Sequence, residues 1–183
     1  MKSMFGPLDR DLAFSPKVLA EVVALFAREN RQVVGPCLVY ACSEKDLRPA
    51  APPAETSIEI VFEALIKDLF VYEGFRHALS YRHDSPRPEK LAAVARTNGE
   101  IVGIAAASVD CESMWQIGVD FLESARGRNI GRALVSRLAD SILKAGKLPY
   151  YAAAPTNVNS NNVAVSAGFW LAWTEVFIKG GIA

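Results

Sequence analysis

"ARGRNIGRAL", residues 125–134, sets three arginines, two glycines and an asparagine between an apolar strand-like run and a long amphipathic helical pattern. A strand, a glycine-bearing loop and a helix together make a device for holding phosphate. The first N–H groups of a helix have no partner within it, and the helix dipole is positive at that end. Arg126, Arg128 and Arg132 add charge-assisted bonds to phosphate oxygens. Gly127 and Gly131 let the backbone approach an anion, and Asn129, next to Ile130, tolerates left-handed φ. Glycine loops before helices also occur as plain tight connections, so the loop alone leaves both readings open. The GxxxxGK[ST] nucleotide loop is absent and no GxGxxG opens a βαβ unit, which argues against ATP and dinucleotides.

Any anion site must be local, because 20 Lys and Arg residues balance 20 Asp and Glu residues in 183. That neutrality argues against nucleic acid or an anionic membrane as partner. Apolar residues at 51% and charged residues at 22% are the balance of one globular domain, or one domain with a small appendage. Cys37, Cys42 and Cys111 are odd in number and lack CxxC spacing, so they read as reduced thiols rather than a disulfide framework or a zinc site. The N-terminal "MKSMFGPLDRDLAF" breaks into charge and Pro/Gly too early for a signal peptide, and no apolar run approaches a membrane span. A cytoplasmic location is the expectation. Asp110, Glu112 and Asp120 have no histidine beside them, and no metal is expected.

Periodicity places a helix over 15–30, with Ser15 capping and Pro16 in the first turn, then a buried strand in "GPCLVYACS" and a proline-rich break at 48–55. The boundary set there separates an N-terminal helix–strand extension, 1–55, from a main domain, 56–183. The extension is expected at a sheet edge or in a dimer contact. Ser57 to about Tyr72 carries Ile58, Val61, Phe62, Leu65, Ile66 and Leu69 at helical spacing, and a second short helix is expected after Gly74. From Leu91 the period changes: two apolar runs joined by Asn98-Gly99 predict a hairpin, with "MWQIGVDF", 114–121, as a third antiparallel strand. A helix over 131–145 with Gly146 past its end, a strand in "LPYYAAAP", a short helix over 160–167 stopped by Gly168, and a long final strand complete the chain.

This order of elements, over about 91–179, resembles the GNAT superfamily of acyl-CoA-dependent N-acetyltransferases. The family's phosphate signature (Arg or Gln, two residues, Gly, one residue, Gly or Ala) looks like Arg126 to Gly131, with Asn129 in place of the first signature glycine. The family's later pattern looks like Asn157, Ser160, Gly168 and Phe169. The resemblance implies an α/β (α+β) fold with a mixed, mostly antiparallel sheet whose central strands splay. It implies acetyl-CoA as co-substrate, with its pyrophosphate on residues 126–132. Backbone groups of Val119 and Phe121 would pair with the pantetheine arm, Asn157 and Ser160 would meet it from the other side, and a strand N–H would polarise the thioester carbonyl. The partner would be a small-molecule or peptide amine.

Two departures limit the mechanism. The position four before the Gly-Phe pair, where many members carry a tyrosine acid, is Ala164, and the strand before Asn157 has no carboxylate. Asp120 ranks first as base, with Asp110 and Tyr151 behind it. Surface or packing roles are preferred for His77, His83, Arg137, Trp115, Trp170, Trp173 and Cys111. A non-catalytic acyl-CoA-binding or sensor protein is the rival reading.

Overall fold

The computed structural model describes residues 12–180; the N-terminal stretch read above as no signal peptide lies largely outside them. Helix α1 is Pro16–Ala27, and the Ser15 hydroxyl accepts the Val18 N–H at 3.5 Å, as the Ser-Pro opening predicts. After it come β1 (Gln32–Ala41), β2 (Thr56–Phe62), the single-turn α2 (Glu63–Ile66), β3 (Glu89–Thr97), β4 (Glu100–Val109), β5 (Met114–Phe121), α3 (Ile130–Lys144), β6 (Leu148–Ala153), α4 (Val158–Ser166) and β7 (Trp170–Lys179). The strands hydrogen-bond in the order β2-β3-β4-β5-β6-β1-β7. The chain forms two compact units: Leu38–Trp173, which carries α2 to α4 and strands β2 to β6, and a smaller one joining the segment through Cys37 to the segment from Thr174.

The hairpin forms as predicted, with Asn98 at φ 52 and Gly99 at φ 88, and β5 occupies the predicted residues 114–121. Pairs β2–β3, β3–β4, β4–β5 and β1–β6 are antiparallel, while β5–β6 is parallel. The parallel pair is short. It holds from Met114↔Leu148 to Ile117↔Tyr151 and then stops, although β5 runs on to Phe121 and β6 to Ala153. The splay expected in the middle of the sheet is therefore present.

Small residues on β3 and β4 let elements close on both faces. Ala93, Ala95, Ala105 and Ala107 pack with Leu134, Leu138 and Ile142 of α3. On the opposite face Ala92, Val94, Ile104 and Ala106 meet Ile66, Leu69, Phe75 and Leu79. Burying each large aliphatic side chain contributes about 1.5–3 kcal/mol, so these two clusters hold the sheet in place.

Two expectations change. Residues 57–62 form a strand rather than the start of a helix: half-buried Ile58 and Ile60 pack with the α3 cluster while Ser57 and Glu59 between and beside them are exposed, the alternation of a strand with one face on the core, and Val61 touches the other cluster. Unbroken pairing from Thr56↔Thr97 to Phe62↔Leu91 overrides a helical pattern that holds only from Glu63 onward, where α2 and a 3-10 turn over Lys67–Val71 follow. The helix expected after Gly74 is a single turn, in which Ala78 and Leu79 donate to the Phe75 carbonyl at 3.1 and 2.8 Å. Leu38–Ala41 of the N-terminal strand pair antiparallel with β6.

The thiols differ in reactivity. Burial, with the Asp46 carboxylate nearby, pushes Cys42 up to about 11, and burial also raises Cys37. Cys111 is exposed and its thiol is lowered by the Ser113 hydroxyl. Since the thiolate is the nucleophile, a maleimide near neutral pH is expected to label Cys111 first and to leave Cys42 untouched until unfolding. Peptide mass spectrometry reads the order; early labelling of Cys42 contradicts it.

Candidate active site

The splay opens into a cleft of about 830 Å³ lined by residues of β3 to β6, the turn at 76–80, the start of the 126–132 loop and α4. The Leu122 N–H donates to the Val102 carbonyl at 2.9 Å, which fixes the phase of the β4–β5 ladder. In an antiparallel ladder the backbone groups of alternate residues point alternately toward and away from the partner strand. Val119 and Phe121 therefore direct their N–H and C=O groups away from β4, on the side where β6 has departed.

At one end of the cleft lies the 125–134 stretch. Gly127 at φ 71 and Asn129 at φ 62, ψ 8 take left-handed conformations, as foreseen for Asn129, and Asn129 is the N-cap of α3. The Arg126 N–H donates to Glu123 at 3.1 Å, and the first helical bond is from Ala133 to Asn129 at 3.1 Å. Among the described residues the six amides between, Gly127 to Arg132, have no acceptor. Ile130 is buried, and a Cβ on Gly131 would stand 2.8 Å from the Phe121 ring, so glycine there lets the helix start close on the end of β5. The arginines are arranged unequally. Arg126 pairs with Glu123 at 2.8 Å in solvent and Arg128 pairs with Glu55. The buried Nε of Arg132 has no hydrogen-bond partner among the described residues, the kind of orphan a bound oxyanion would satisfy.

The opposite wall is β6 and α4. Asn157 caps α4, its Oδ1 accepting the Ser160 N–H at 3.1 Å, which leaves its amide nitrogen for the cleft. Tyr151 is 3% exposed and lines the same cleft. Burial raises its phenol above the ordinary value of 10, a hydrogen bond with the Ser160 hydroxyl partly offsets this, and the Asp120 charge adds to the rise. Its ring meets Phe169 edge-on, with centroids 6.3 Å apart. Ala164 is fully buried, so α4 presents no acid at that position.

The cleft floor holds the acids. Asp120 is not a free strand-end carboxylate: its Oδ2 accepts the His77 N–H at 2.5 Å and the Ala78 N–H at 3.3 Å, tying the 75–79 turn to β5. Asp110 accepts from the Tyr150 hydroxyl, sits 3.5 Å from Arg87 and is 11% exposed. Glu89 went unnoticed in the sequence. Its carboxylate accepts the Ser80 N–H at 2.6 Å and the Ser80 hydroxyl at 3.2 Å, and it lines the cleft. A register shift between Glu89 and Leu91 turns Glu89 to the face of Ser108 while Leu91 stays with Ala107. A bulge re-aims a side chain in this way without any local sequence mark.

Other residues fall outside the chemistry. His83 stacks on Phe70 with centroids 5.2 Å apart, Trp173 lies 6.3 Å from Tyr150, and Arg137 is exposed. Among the described residues no group of three or more His, Cys, Asp or Glu is placed to hold a metal, and no helix is long and apolar enough to cross a membrane.

A model of the acetyltransferase (GNAT) family matches residues 58–169, more than half of the chain. No curated protein matches it. Solved structures of similar fold include a GCN5-related N-acetyltransferase-like protein from Streptococcus suis 89/1591, at 16% identity and TM-score 0.62 over 89% of this chain and 68% of that one. A GCN5-related N-acetyltransferase from Kribbella flavida aligns at 18% identity and TM-score 0.63, over 92% of this chain and 64% of that one. A tandem GNAT protein from the clavulanic acid biosynthesis pathway aligns at 15% identity and TM-score 0.58, over 85% and 57%. This chain thus spans about two thirds of the length of the first two and less of the third.

Proposed function

The chain belongs to the GNAT acetyltransferase family, and on that premise we propose that it transfers an acetyl group from acetyl-CoA to a primary amine by direct attack on the thioester. The observation that carries the reading is the run of six amides, Gly127 to Arg132, without an acceptor among the described residues, at the end of a cleft that Arg126 and Gly127 line and that opens where the β5–β6 pairing stops. The Nε of Arg132, the last residue of that run, has no partner among the described residues, which supports a diphosphate there. The outward-facing backbone of Val119 and Phe121 would align the pantetheine arm in strand fashion, and Asn157 would bond it from α4.

Asp120, or Asp110 behind it, would take the proton from the incoming ammonium, freeing the nitrogen lone pair to form the N–C bond. Tyr151, buried and held protonated, would give a proton to the sulfur as the C–S bond breaks, replacing the acid missing at Ala164. Ammonium plus thioester yields amide, thiol and one proton released to solvent. The test is thiol release from acetyl-CoA against polyamines, amino acids, aminoglycosides and peptide N-termini. Release with at least one acceptor is expected. Binding of acetyl-CoA with no release for any acceptor would favour the rival, a non-catalytic acyl-CoA-binding protein, which the absence of an acid at Ala164 supports.

Glu55 competes with phosphate for Arg128. The pair is partly exposed and exposed pairs contribute roughly 0.2–1 kcal/mol, so Glu55→Gln is expected to tighten acetyl-CoA binding about two- to fivefold at low salt and less at high salt. Calorimetry checks it; unchanged or weaker binding excludes Arg128 from the anion site.

A further inference from the structure

At the end of the cleft away from the 126–132 loop, a polar row crosses four strands: Glu89 stands opposite Ser108, Ser108 opposite Gln116, and Gln116 opposite Tyr150. The turn at 76–80 borders this row through the bonds from Ser80 to Glu89. Its charges are unevenly compensated. Asp110 has Arg87 as a cation partner, and Asp120 has two turn amides. Glu89, only 8% exposed, has neutral donors from Ser80 and no cation among the described residues. Arg76 lines the same cleft and pairs with no carboxylate among the described residues.

A carboxylate withdrawn from water with no counter-ion carries a desolvation penalty that a cationic ligand relieves, and a guanidinium at the rim is suited to bidentate contact with a carboxylate. Glu89 and Arg76 are held by the two ends of one short turn, because Glu89 is bonded to Ser80 and Arg76 lies four residues before it. Resting on the acetyltransferase reading, we propose that the acceptor is a small zwitterion, of the free amino acid class, whose ammonium group docks against Glu89 and whose carboxylate is met by Arg76. Polyamines offer Arg76 only like charge, and a lysine within a protein chain has no carboxylate at the required place.

The experiment compares each free L-amino acid with its amide, which keeps the amine and lacks the carboxylate. Thiol release from acetyl-CoA is measured for wild type, Arg76→Gln and Glu89→Gln. A charge-assisted contact corresponds to roughly 10- to 100-fold in affinity, so wild type is expected to favour the best acid over its amide by that factor in kcat/KM. In Arg76→Gln that ratio is expected to fall to near one. Glu89→Gln is expected to raise KM for the amine in both series, with the acid-to-amide ratio kept. Acetyl-CoA binding, measured separately by calorimetry, identifies a variant that has failed to fold. Equal rates for acids and amides in wild type, preference for polyamines, or an unchanged ratio in Arg76→Gln would overturn the proposal while leaving acetyl transfer standing. Absence of thiol release with every acceptor would remove both.

Discussion

Gly118→Ala is expected to lower kcat/KM for acetyl transfer by roughly 100-fold or more and to destabilise the fold by about 1–3 kcal/mol. A Cβ at this position would stand 1.8 Å from the His77 carbonyl oxygen and 2.9 Å from its carbon. Both are backbone atoms, so no side chain can turn aside to make room. The 75–79 turn must move as a unit, and it is the turn that Asp120 fastens through the His77 and Ala78 amides. Moving it withdraws Asp120 from its place and shifts Ser80, hence Glu89, at the proposed acceptor end. Gly99→Ala serves as the contrast: its Cβ would meet nothing within 4 Å, so only the strain of φ +88 remains, about 1–2 kcal/mol, with activity retained. Thermal unfolding and thiol release on both variants separate the two causes. Full activity in Gly118→Ala would mean that the turn borders the cleft without shaping the reaction.

Tyr151→Phe is expected to cut kcat by about 100-fold while changing acetyl-CoA affinity by no more than about twofold. The substitution removes the one phenol that lines the cleft among the described residues and leaves a ring of the same shape against Phe169. Burial and the Asp120 field, partly offset by the Ser160 bond, set the phenol above 10, so it is protonated throughout the neutral range. Wild-type kcat should therefore show no loss assignable to this group until the pH rises past 10. The same sign governs stability: a raised folded-state value favours the folded protein below the unfolded value of 10, and that contribution is lost as the pH climbs through the raised one. A kcat within twofold of wild type would exclude Tyr151 as the proton donor and leave solvent in that role.

The parts of the fold legible in the sequence are those where local chemistry and tertiary context agree. Asn98-Gly99 needs positive φ wherever it occurs in a tight hairpin, and α3 carries its apolar stripe regardless of what it packs on. The 126–132 loop was legible for the same reason, since left-handed Gly127 and Asn129 and the helix start are local features. The segment 57–62 was not, because Ile58, Val61 and Phe62 fit a helical spacing while Ile58 and Ile60 fit a strand equally, and only pairing with β3 decides between them. Glu89 was hidden by a bulge, and the bonds that occupy Asp120 come from a turn 43 residues away in sequence. Catalytic assignments depend on such distant neighbours far more than cofactor loops do.

The most direct test of the account is a calorimetric titration with acetyl-CoA beside one with S-acetylpantetheine, which keeps the thioester and arm but has no diphosphate. Six amides and the Arg132 Nε, all without partners among the described residues, predict a dissociation constant for acetyl-CoA within the micromolar range, and binding of S-acetylpantetheine weaker by at least about 100-fold. No heat at millimolar acetyl-CoA, or equal affinity for the two ligands, would contradict a diphosphate grip by residues 127–132.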